Sequence, residues 1–291
     1  MKSGNSSKAT SRGKSHRSIV FTGDDFGFSH GVNRAISEAH ERGILTRASL
    51  MVTGDACEEA VALARAHPRL GIGLHVVLVC GRSILPPSDI PHLVDSTGRF
   101  SSRPILAGLR YQFCPSARRE LRLEIAAQLD AFRRTGLRLS HVDGHLHMHM
   151  HPVVLRLLVA AAPGFGIREI RLPSEELRLA LRLDRSGVAT KLVWSLVFRG
   201  LRRYGERHVG AAGIGYSDRV YGLLASGRVT EEYLLNLIPQ IAADRTEIYS
   251  HPALEVSGEP LNGPAGAGPA ELAALLSDRV KDALTLHGFV R

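Results

Sequence analysis

The stretch SIVFTGDDF, residues 18–26, combines an apolar run with two adjacent aspartates, Asp24 and Asp25. The apolar run predicts a short strand, and Ser29 beyond it is placed to cap a helix. The aspartates therefore stand at the C-terminal end of a strand, where α/β folds favour functional residues. Taken alone, the pair also fits a turn in which one aspartate caps the following backbone and the other faces water.

Beyond this stretch, short β-rich runs alternate with helical patterns, which is typical of β/α repeats around a parallel sheet. Two of the later runs are IREIRLP, residues 167–173, and HVGAAGIG, residues 208–215. Residues 80–115 are rich in turn formers and predict a long excursion over one face. About seven alternations favour an irregular, TIM-barrel-like (β/α) barrel over a doubly wound sheet. We expect an α/β fold with a single domain over residues 18–291.

The composition is that of a globular protein, with 44% hydrophobic and 22% charged residues among 291. No apolar run approaches the roughly 18 residues that a membrane span needs, so we expect a soluble protein. The three cysteines lack metal-type spacing, which argues against a disulfide framework and fits a reducing, cytoplasmic compartment. They are Cys57, Cys80 and Cys114.

The formal charge of +9 raises the question of a nucleic-acid or anionic-membrane partner. Five Lys or Arg residues and no acid lie in residues 1–17, a polar tail that we expect to be disordered because it cannot pack. The tail lacks the apolar segment of a signal peptide. Outside it, no basic patch is interleaved with aromatic residues, so we expect no nucleic-acid partner, and a basic nucleic-acid-binding protein is a less favoured alternative.

The stretch SHVDGHLHMHMHP, residues 140–152, places its imidazoles and its one carboxylate at alternate positions, which in a strand face one side. At about 3.3 Å per residue the whole run would be far longer than a barrel strand, so the strand must end around His145 to His147. A solvated loop or a nonspecific metal-binding run is the alternative. The residues concerned are His141, Asp143, His145, His147, His149 and His151.

His75 interrupts the otherwise apolar run GIGLHVVL, residues 71–78. A lone histidine there is often a hydrogen-bonded core residue. The aspartate pair, His75 and His145 nevertheless close different β-runs of one parallel set, and parallel strands bring their C-terminal ends to one face. A carboxylate with two imidazoles forms a three-ligand metal set that leaves positions for water and substrate. One aspartate would then bind a divalent metal ion, Mg²⁺ or Zn²⁺, and the other would be free to act as a base.

His251 ends a late β-run, IYSHPALE. It fits the role of a capping residue at the strand end. It fits equally well the role of a general acid that protonates a leaving amine. We expect Asp143 and His147 to orient the ligands or to contact the substrate.

Taken together, TGDDFGFSHGVNRAI, GILTRASLMV, LGIGLHVVL, SHVDGHLHMHMHP and YSHPA resemble the YdjC-like carbohydrate deacetylases, the ChbG/HpnK family. The resemblance runs from about residue 18 to 260. It implies an irregular α/β barrel that removes an N-acetyl group from an amino sugar, with Asp24 as catalytic base. It also implies a divalent metal ion held by Asp25, His75 and His145. Gly23 stands where many relatives have alanine, a change that we expect to leave the ligands undisturbed.

The middle excursion and FRRTGLRLSHVDGHLHMHMHP look most like the hopanoid-biosynthesis-associated HpnK branch. That likeness implies an N-acetylglucosaminyl headgroup on a hopanoid lipid of the bacteriohopanetetrol type. Soluble chito-oligosaccharides are the alternative substrate. A metal-dependent phosphoesterase is a further alternative, but it would place Arg or Lys beside the metal ligands, whose sequence neighbours here are Phe26, Gly27, Leu74 and Gly144.

Residues 185–207, RSGVATKLVWSLVFRGLRRYGER, pair an apolar helical face with arginines near one end. They fit an ordinary barrel helix whose basic end complements its dipole. They also fit a peripheral contact with an anionic bilayer, on the inner membrane face for a cytoplasmic protein. The sequence leaves the oligomeric state open.

Overall fold

The computed structural model describes residues 17–289. Its centre is a curled parallel sheet of six strands, in the spatial order β4-β3-β2-β1-β6-β5. The strands are β1 Ser18–Phe26, β2 Arg47–Leu50, β3 Gly71–Val76, β4 Leu139–Gly144, β5 Arg219–Tyr221 and β6 Arg245–Ser250. Because every pair is parallel, the carboxyl ends of all these strands lie at one edge of the sheet.

Ten helices lie around the sheet within residues 17–289. They are α1 His30–Arg42, α2 Cys57–Ala66, α3 Pro104–Phe113, α4 Pro115–Arg134, α5 Pro152–Phe165, α6 Leu177–Leu183, α7 Val188–Ala211, α8 Glu231–Leu237, α9 Ala267–Leu276 and α10 Asp278–Leu286. Two short 3-10 helices, His145–Met150 and Ile238–Gln240, complete the regular structure of the described residues.

Helix α1 follows the sequence signals closely. The Ser29 hydroxyl accepts a hydrogen bond from the backbone N–H of Val32, and the N–H of Gly43 donates to the carbonyl of Ala39 at the other end. Ile36 and Ala39 on its inner face are fully buried. Burial of a large aliphatic side chain such as Ile36 contributes about 1.5–3 kcal/mol, so this face holds α1 against β1, the strand that carries the aspartates.

The predicted seven-strand barrel is wrong in the region between β4 and β5. IREIRLP forms only isolated bridges, from Ile170 to Val142 of β4 and from Glu169 to Gly215. HVGAAGIG is not a strand, because α7 continues to Ala211 and Val209 within it packs into the core. A short strand that the sequence did not predict, β5, forms the sheet edge instead. The described residues therefore form a curled half-barrel whose two edge strands, β4 and β5, do not pair.

The excursion over residues 80–115 is largely irregular, as predicted, but it ends in a helix that was not predicted. Pro104 occupies the first turn of α3, where its missing N–H costs nothing. The buried Tyr111 hydroxyl donates to the carbonyl of Leu78, 2.6 Å away, and ties α3 to the chain just beyond β3.

Three further expectations concern the chain as a whole. All three cysteines carry free thiols. No helix among residues 17–289 is long and apolar enough to cross a membrane. The predicted disordered tail lies outside the described residues apart from Arg17, whose guanidinium donates to the carbonyl of Ile241 and stands over the Phe289 ring.

Candidate metal and catalytic site

Asp24 and Asp25 reach the same buried site because β1 is irregular where they stand. The register of β1 against β2 shifts between Gly23 and Phe26, and Asp25 has a φ of 62°. In a regular strand adjacent side chains point to opposite faces, whereas a bulge with one left-handed residue redirects them. A left-handed non-glycine residue costs about 1–3 kcal/mol and is retained mainly at functional sites. This local strain lets both carboxylates face the carboxyl edge of the sheet.

The three predicted metal ligands meet there. The Asp25 Oδ1 atom lies 3.1 Å from His75 Nε2 and 2.9 Å from His145 Nδ1. One donor atom from each residue falls within 4.8 Å of the others, which is the spacing of ligands around one ion. His145 opens the His145–Met150 helix, in which Leu146 and His147 both adopt left-handed backbone angles. The strand therefore ends at Gly144, close to the predicted point.

Asp143 orients His75 from behind. Its Oδ1 atom lies 2.7 Å from His75 Nδ1, and its Oδ2 atom accepts the Ser49 hydroxyl at 2.7 Å. This carboxylate–histidine contact leaves Nε2 facing Asp25, the arrangement that metal-binding histidines usually have. Ser49 also contacts His141 Nε2 at 3.0 Å, so His141 lies beneath the ligands and is not one of them.

A buried arginine that the sequence analysis did not single out holds the other aspartate. Arg171 donates to both oxygens of Asp24, at 2.6 and 2.8 Å. It also contacts Asp143 at 2.8 Å and donates to Glu247 at 2.9 Å. Backbone hydrogen bonds from its segment to Val142 of β4 fix its position. Arg171 therefore lies at the centre of the half-barrel. The isolated bridges of its segment, formed where a seventh strand was expected, hold it there.

Several ionisable side chains of this cluster have strongly shifted pKa values. Burial alone would lower the pKa of His75, but the carboxylates of Asp143 and Asp25 raise it to about 10. Burial alone would raise the pKa of Asp25, but the imidazoles of His145 and His75 hold it well below its usual range. Once the imidazoles have lost their protons, as metal ligands must, buried negative charge is in excess and needs a compensating cation. The donor set therefore fits a divalent cation. Four buried carboxylates face a single guanidinium in this cluster of described residues: Asp24, Asp25, Asp143 and Glu247, with Arg171.

The profile of the family described as YdjC-like protein matches residues 18–285. The chain belongs to the YdjC-like family. A carbohydrate deacetylase from Brevibacillus brevis is 39% identical over 149 residues, which make up 51% of this chain and 57% of that protein. The chain thus spans little more than half of this curated relative. A carbohydrate deacetylase from Mus musculus is 32% identical, over 86% of this chain and 82% of its own length.

The fold of this YdjC-like chain is also found among solved structures. A protein from Enterococcus faecalis V583, to which cellobiose-phosphate cleavage is attributed, superposes with a TM-score of 0.72. The superposition covers 94% of this chain and 96% of that one at 23% sequence identity. At this level of identity the likeness concerns the fold alone.

His147 lies beside the ligands without joining them. Its Nε2 atom is 2.8 Å from the Tyr249 hydroxyl, and its Nδ1 atom is buried without a hydrogen-bond partner among the described residues. Burial, together with the nearby His149 and Arg171, holds the pKa of His147 well below its usual range. The Arg171 guanidinium lies over the Tyr249 ring, 4.7 Å from the ring centroid. A neutral imidazole with a free nitrogen is therefore present next to the site.

His251 lies at the same edge of the sheet, farther from the ligands. Ser250 of β6 pairs with Gly23 of β1, so His251 and Asp24 follow paired residues of neighbouring strands. The His251 ring lies edge-on to Tyr249, with ring centroids 5.8 Å apart, and its backbone N–H donates to Glu271. Its ring makes no hydrogen bond to the described residues, so its nitrogens remain available.

Sequence analysis missed Arg171, Glu247, Ser49 and Tyr249. Arg171 and Glu247 did leave a signal, since each places a charge inside a predicted β-run, IREIRLP and TEIYS. Buried charges are nearly always paired, so two such interruptions of opposite sign indicate an ion pair between strands.

Proposed function

We propose that this YdjC-like protein is a metal-dependent hydrolase that removes the acetyl group from an N-acetylglucosaminyl unit. The observation that carries the proposal is the convergence of Asp25, His75 and His145 beside a second carboxylate, Asp24. The curated relatives named as carbohydrate deacetylases support an acetylated sugar as the substrate. The reaction breaks an amide C–N bond and yields acetate and a free amine.

Asp25, His75 and His145 would hold the cation. A bound Mg²⁺ or Zn²⁺ would polarise the amide carbonyl and make a water molecule more acidic. The pair of imidazoles suits Zn²⁺, while the carboxylate suits either ion. Asp143 would keep His75 in the tautomer that presents Nε2, through its 2.7 Å contact with Nδ1.

Asp24 would accept the proton of the attacking water. A carboxylate has about four lone-pair sites, and the two hydrogen bonds from Arg171 leave the others free. Arg171 would act as a positioning residue, because its rigid fork fixes the plane of the Asp24 carboxylate. It divides its charge among Asp24, Asp143 and Glu247, so no single carboxylate takes all of it.

His251 would donate a proton to the departing sugar nitrogen. Its ring is partly exposed, makes no hydrogen bond to the described residues, and lies at the level of Asp24 on the neighbouring strand. His147 would act behind the substrate, where its Nε2 atom orients the Tyr249 hydroxyl at 2.8 Å. The two histidines thus take different roles, one in proton transfer and one in positioning.

For the substrate we propose a hopanoid lipid of the bacteriohopanetetrol type that carries the N-acetylglucosaminyl headgroup. The protein would reach this lipid as a peripheral protein, through the apolar and arginine-rich residues 185–207. A phosphoesterase is disfavoured, because the arginine nearest the ligands, Arg171, already pairs with three carboxylates and is not available to clamp a phosphate.

Mass spectrometry of substrates incubated with metal-loaded protein tests the proposal. We expect the loss of one acetyl group from N-acetylglucosaminyl substrates, faster for the lipid-linked form than for soluble chito-oligosaccharides. Faster turnover of the soluble sugar would refute the lipid substrate alone. Phosphate release with no acetate would refute the deacetylase itself.

A further inference from the structure

Large apolar side chains are exposed mainly in one part of this molecule. Of the fourteen such side chains among the described residues, eleven lie on α3, on α7 or at Leu146 between them. Single exposed apolar residues are ordinary, but a contiguous group on a monomer marks an interaction surface. The members are Ile105, Leu106, Leu109, Phe113, Leu146, Val188, Leu192, Val193, Trp194, Leu196 and Val197, and we name them the apolar platform.

The platform borders the candidate site. Both α3 and α7 contact the His145–Met150 helix, which carries the ligand His145. On one side Tyr111 anchors α3 just beyond β3, and on the other Phe198 of α7 packs against His147, with ring centroids 5.6 Å apart. Trp194 packs on Phe198 at the same spacing and continues this contact outward. The apolar platform therefore begins at the edge of the sheet that carries Asp25, His75 and His145.

The chain around the platform is basic. Residues 99–119, which include α3, contain five arginines and no acidic residue. Residues 185–205, which include most of α7, add the basic residues Arg185, Arg199 and Arg203, while Lys191 and Arg202 are buried in ion pairs with Asp184 and Glu206. This charge opposes a second copy of the chain on the same surface, because a twofold interface would bring the two basic segments together. An anionic lipid surface would neutralise it instead.

We infer that the apolar platform docks this protein on an anionic bilayer, with α3 and α7 on either side of the opening to the site. The inference rests on the proposed lipid-linked substrate and adds α3 and Leu146 to the contact expected from residues 185–207. Apolar side chains enter the boundary between headgroups and acyl chains while arginines contact anionic headgroups. Because no helix of the described residues can span a membrane, the binding is peripheral and reversible.

The test is cosedimentation of the full chain with phosphatidylcholine vesicles, with and without phosphatidylglycerol. We expect binding only to the anionic vesicles, with release as salt rises. The double variant Ile105→Ser/Phe113→Ser changes two side chains of α3 that are 78% and 72% exposed, so it should fold normally. We expect its vesicle partitioning to fall about tenfold or more, because both side chains enter the lipid.

Leu286→Ser is the matched control, because Leu286 is 81% exposed but lies on α10, away from the platform. It should bind vesicles and hydrolyse soluble substrate like the unmodified protein. If the α3 double variant binds anionic vesicles as well as the unmodified protein does, the apolar platform is not the docking surface. The same conclusion would follow from a concentration-dependent dimer, measured by light scattering, that the α3 variant abolishes while vesicle binding is absent. Normal docking without deacetylation of a vesicle-embedded sugar would instead refute the proposed function and leave the platform standing.

Discussion

The buried site has two halves that treat neighbouring aspartates differently. In one half Asp25 faces the imidazoles of His75 and His145, which can both give up their protons to bind a cation. In the other half Asp24 faces Arg171, whose guanidinium is permanently charged. One backbone bulge separates the two environments. The imidazole half can accept an ion, whereas the guanidinium half already contains its cation.

This difference assigns separate tasks to two residues that are identical in chemistry. Asp143 joins the halves, since it contacts both His75 and Arg171. A change in one half should therefore be felt in the other through Asp143. If the same substitution at Asp24 and at Asp25 has the same effect on metal content and turnover, this interpretation is wrong. Different effects at the two positions would support it.

The largest effect is expected for Asp25→Asn. The neutral amide removes the one negative charge of the ligand set, so metal affinity and deacetylation should fall together, activity by about a thousandfold or more. Metal content by elemental analysis and acetate release measure the two quantities. Asp282→Asn, an exposed change on α10, is the control. Normal metal content in Asp25→Asn would remove Asp25 from the ligand set.

Asp24→Asn should separate the two quantities. The amide cannot accept a proton from water, so turnover should fall by about a hundredfold to ten-thousandfold, as expected for the loss of a general base. Metal content should stay close to normal, because Asp24 contacts Arg171 and not the two ligand histidines. The same two assays apply. Equal metal loss in Asp24→Asn and Asp25→Asn would contradict the division of the site.

Arg171→Met tests the guanidinium half through stability. Removal of this buried cation leaves Asp24, Asp143 and Glu247 without their partner, and breaking a buried pair in this way costs about 3–5 kcal/mol. Urea unfolding measures the loss. Arg42→Met, which removes an exposed pair with Glu38, should cost less than about 1 kcal/mol. If the two variants unfold alike, Arg171 does not stabilise the carboxylate cluster.

The two halves also differ in how far the sequence predicts them. Asp25, His75 and His145 each close a run with a clear strand signal, and parallel strands bring such ends together whatever the details of closure. Their convergence therefore followed from local patterns. Arg171 lies in a run that pairs only through isolated bridges, and its partners come from three separate strands. No local pattern fixes contacts of that kind.

Barrel closure and the α3 part of the platform failed to appear in the sequence for related reasons, whereas the apolar face of α7 was apparent in residues 185–207. HVGAAGIG contains three glycines, yet α7 extends as far as Ala211 within it and Val209 packs in the core, so tertiary contacts override local propensity. Helix α3 stands in a segment rich in turn formers, and it is held by packing on α4 and α5 and by the hydrogen bond from Tyr111 to Leu78, just beyond β3. Its outward apolar face becomes apparent only once Tyr111 is placed.

The smallest effect is expected for Gly23→Ala, immediately before the bulge. An added Cβ would lie 3.0 Å from Ile36 Cγ1 and 3.1 Å from Leu45 Cδ1, so these two buried side chains would have to move by a few tenths of an ångström. A slight shift of these side chains removes the contact, and the loss of glycine's freedom in the unfolded chain offsets it by about 0.4–1 kcal/mol. The free energy of unfolding should therefore change by less than about 1 kcal/mol, with metal content and turnover unchanged. Urea unfolding and the acetate assay test both points. A large loss of metal would mean that the bulge tolerates no change at its edge, and that the strain at Asp25 depends on the packing of α1 beneath it.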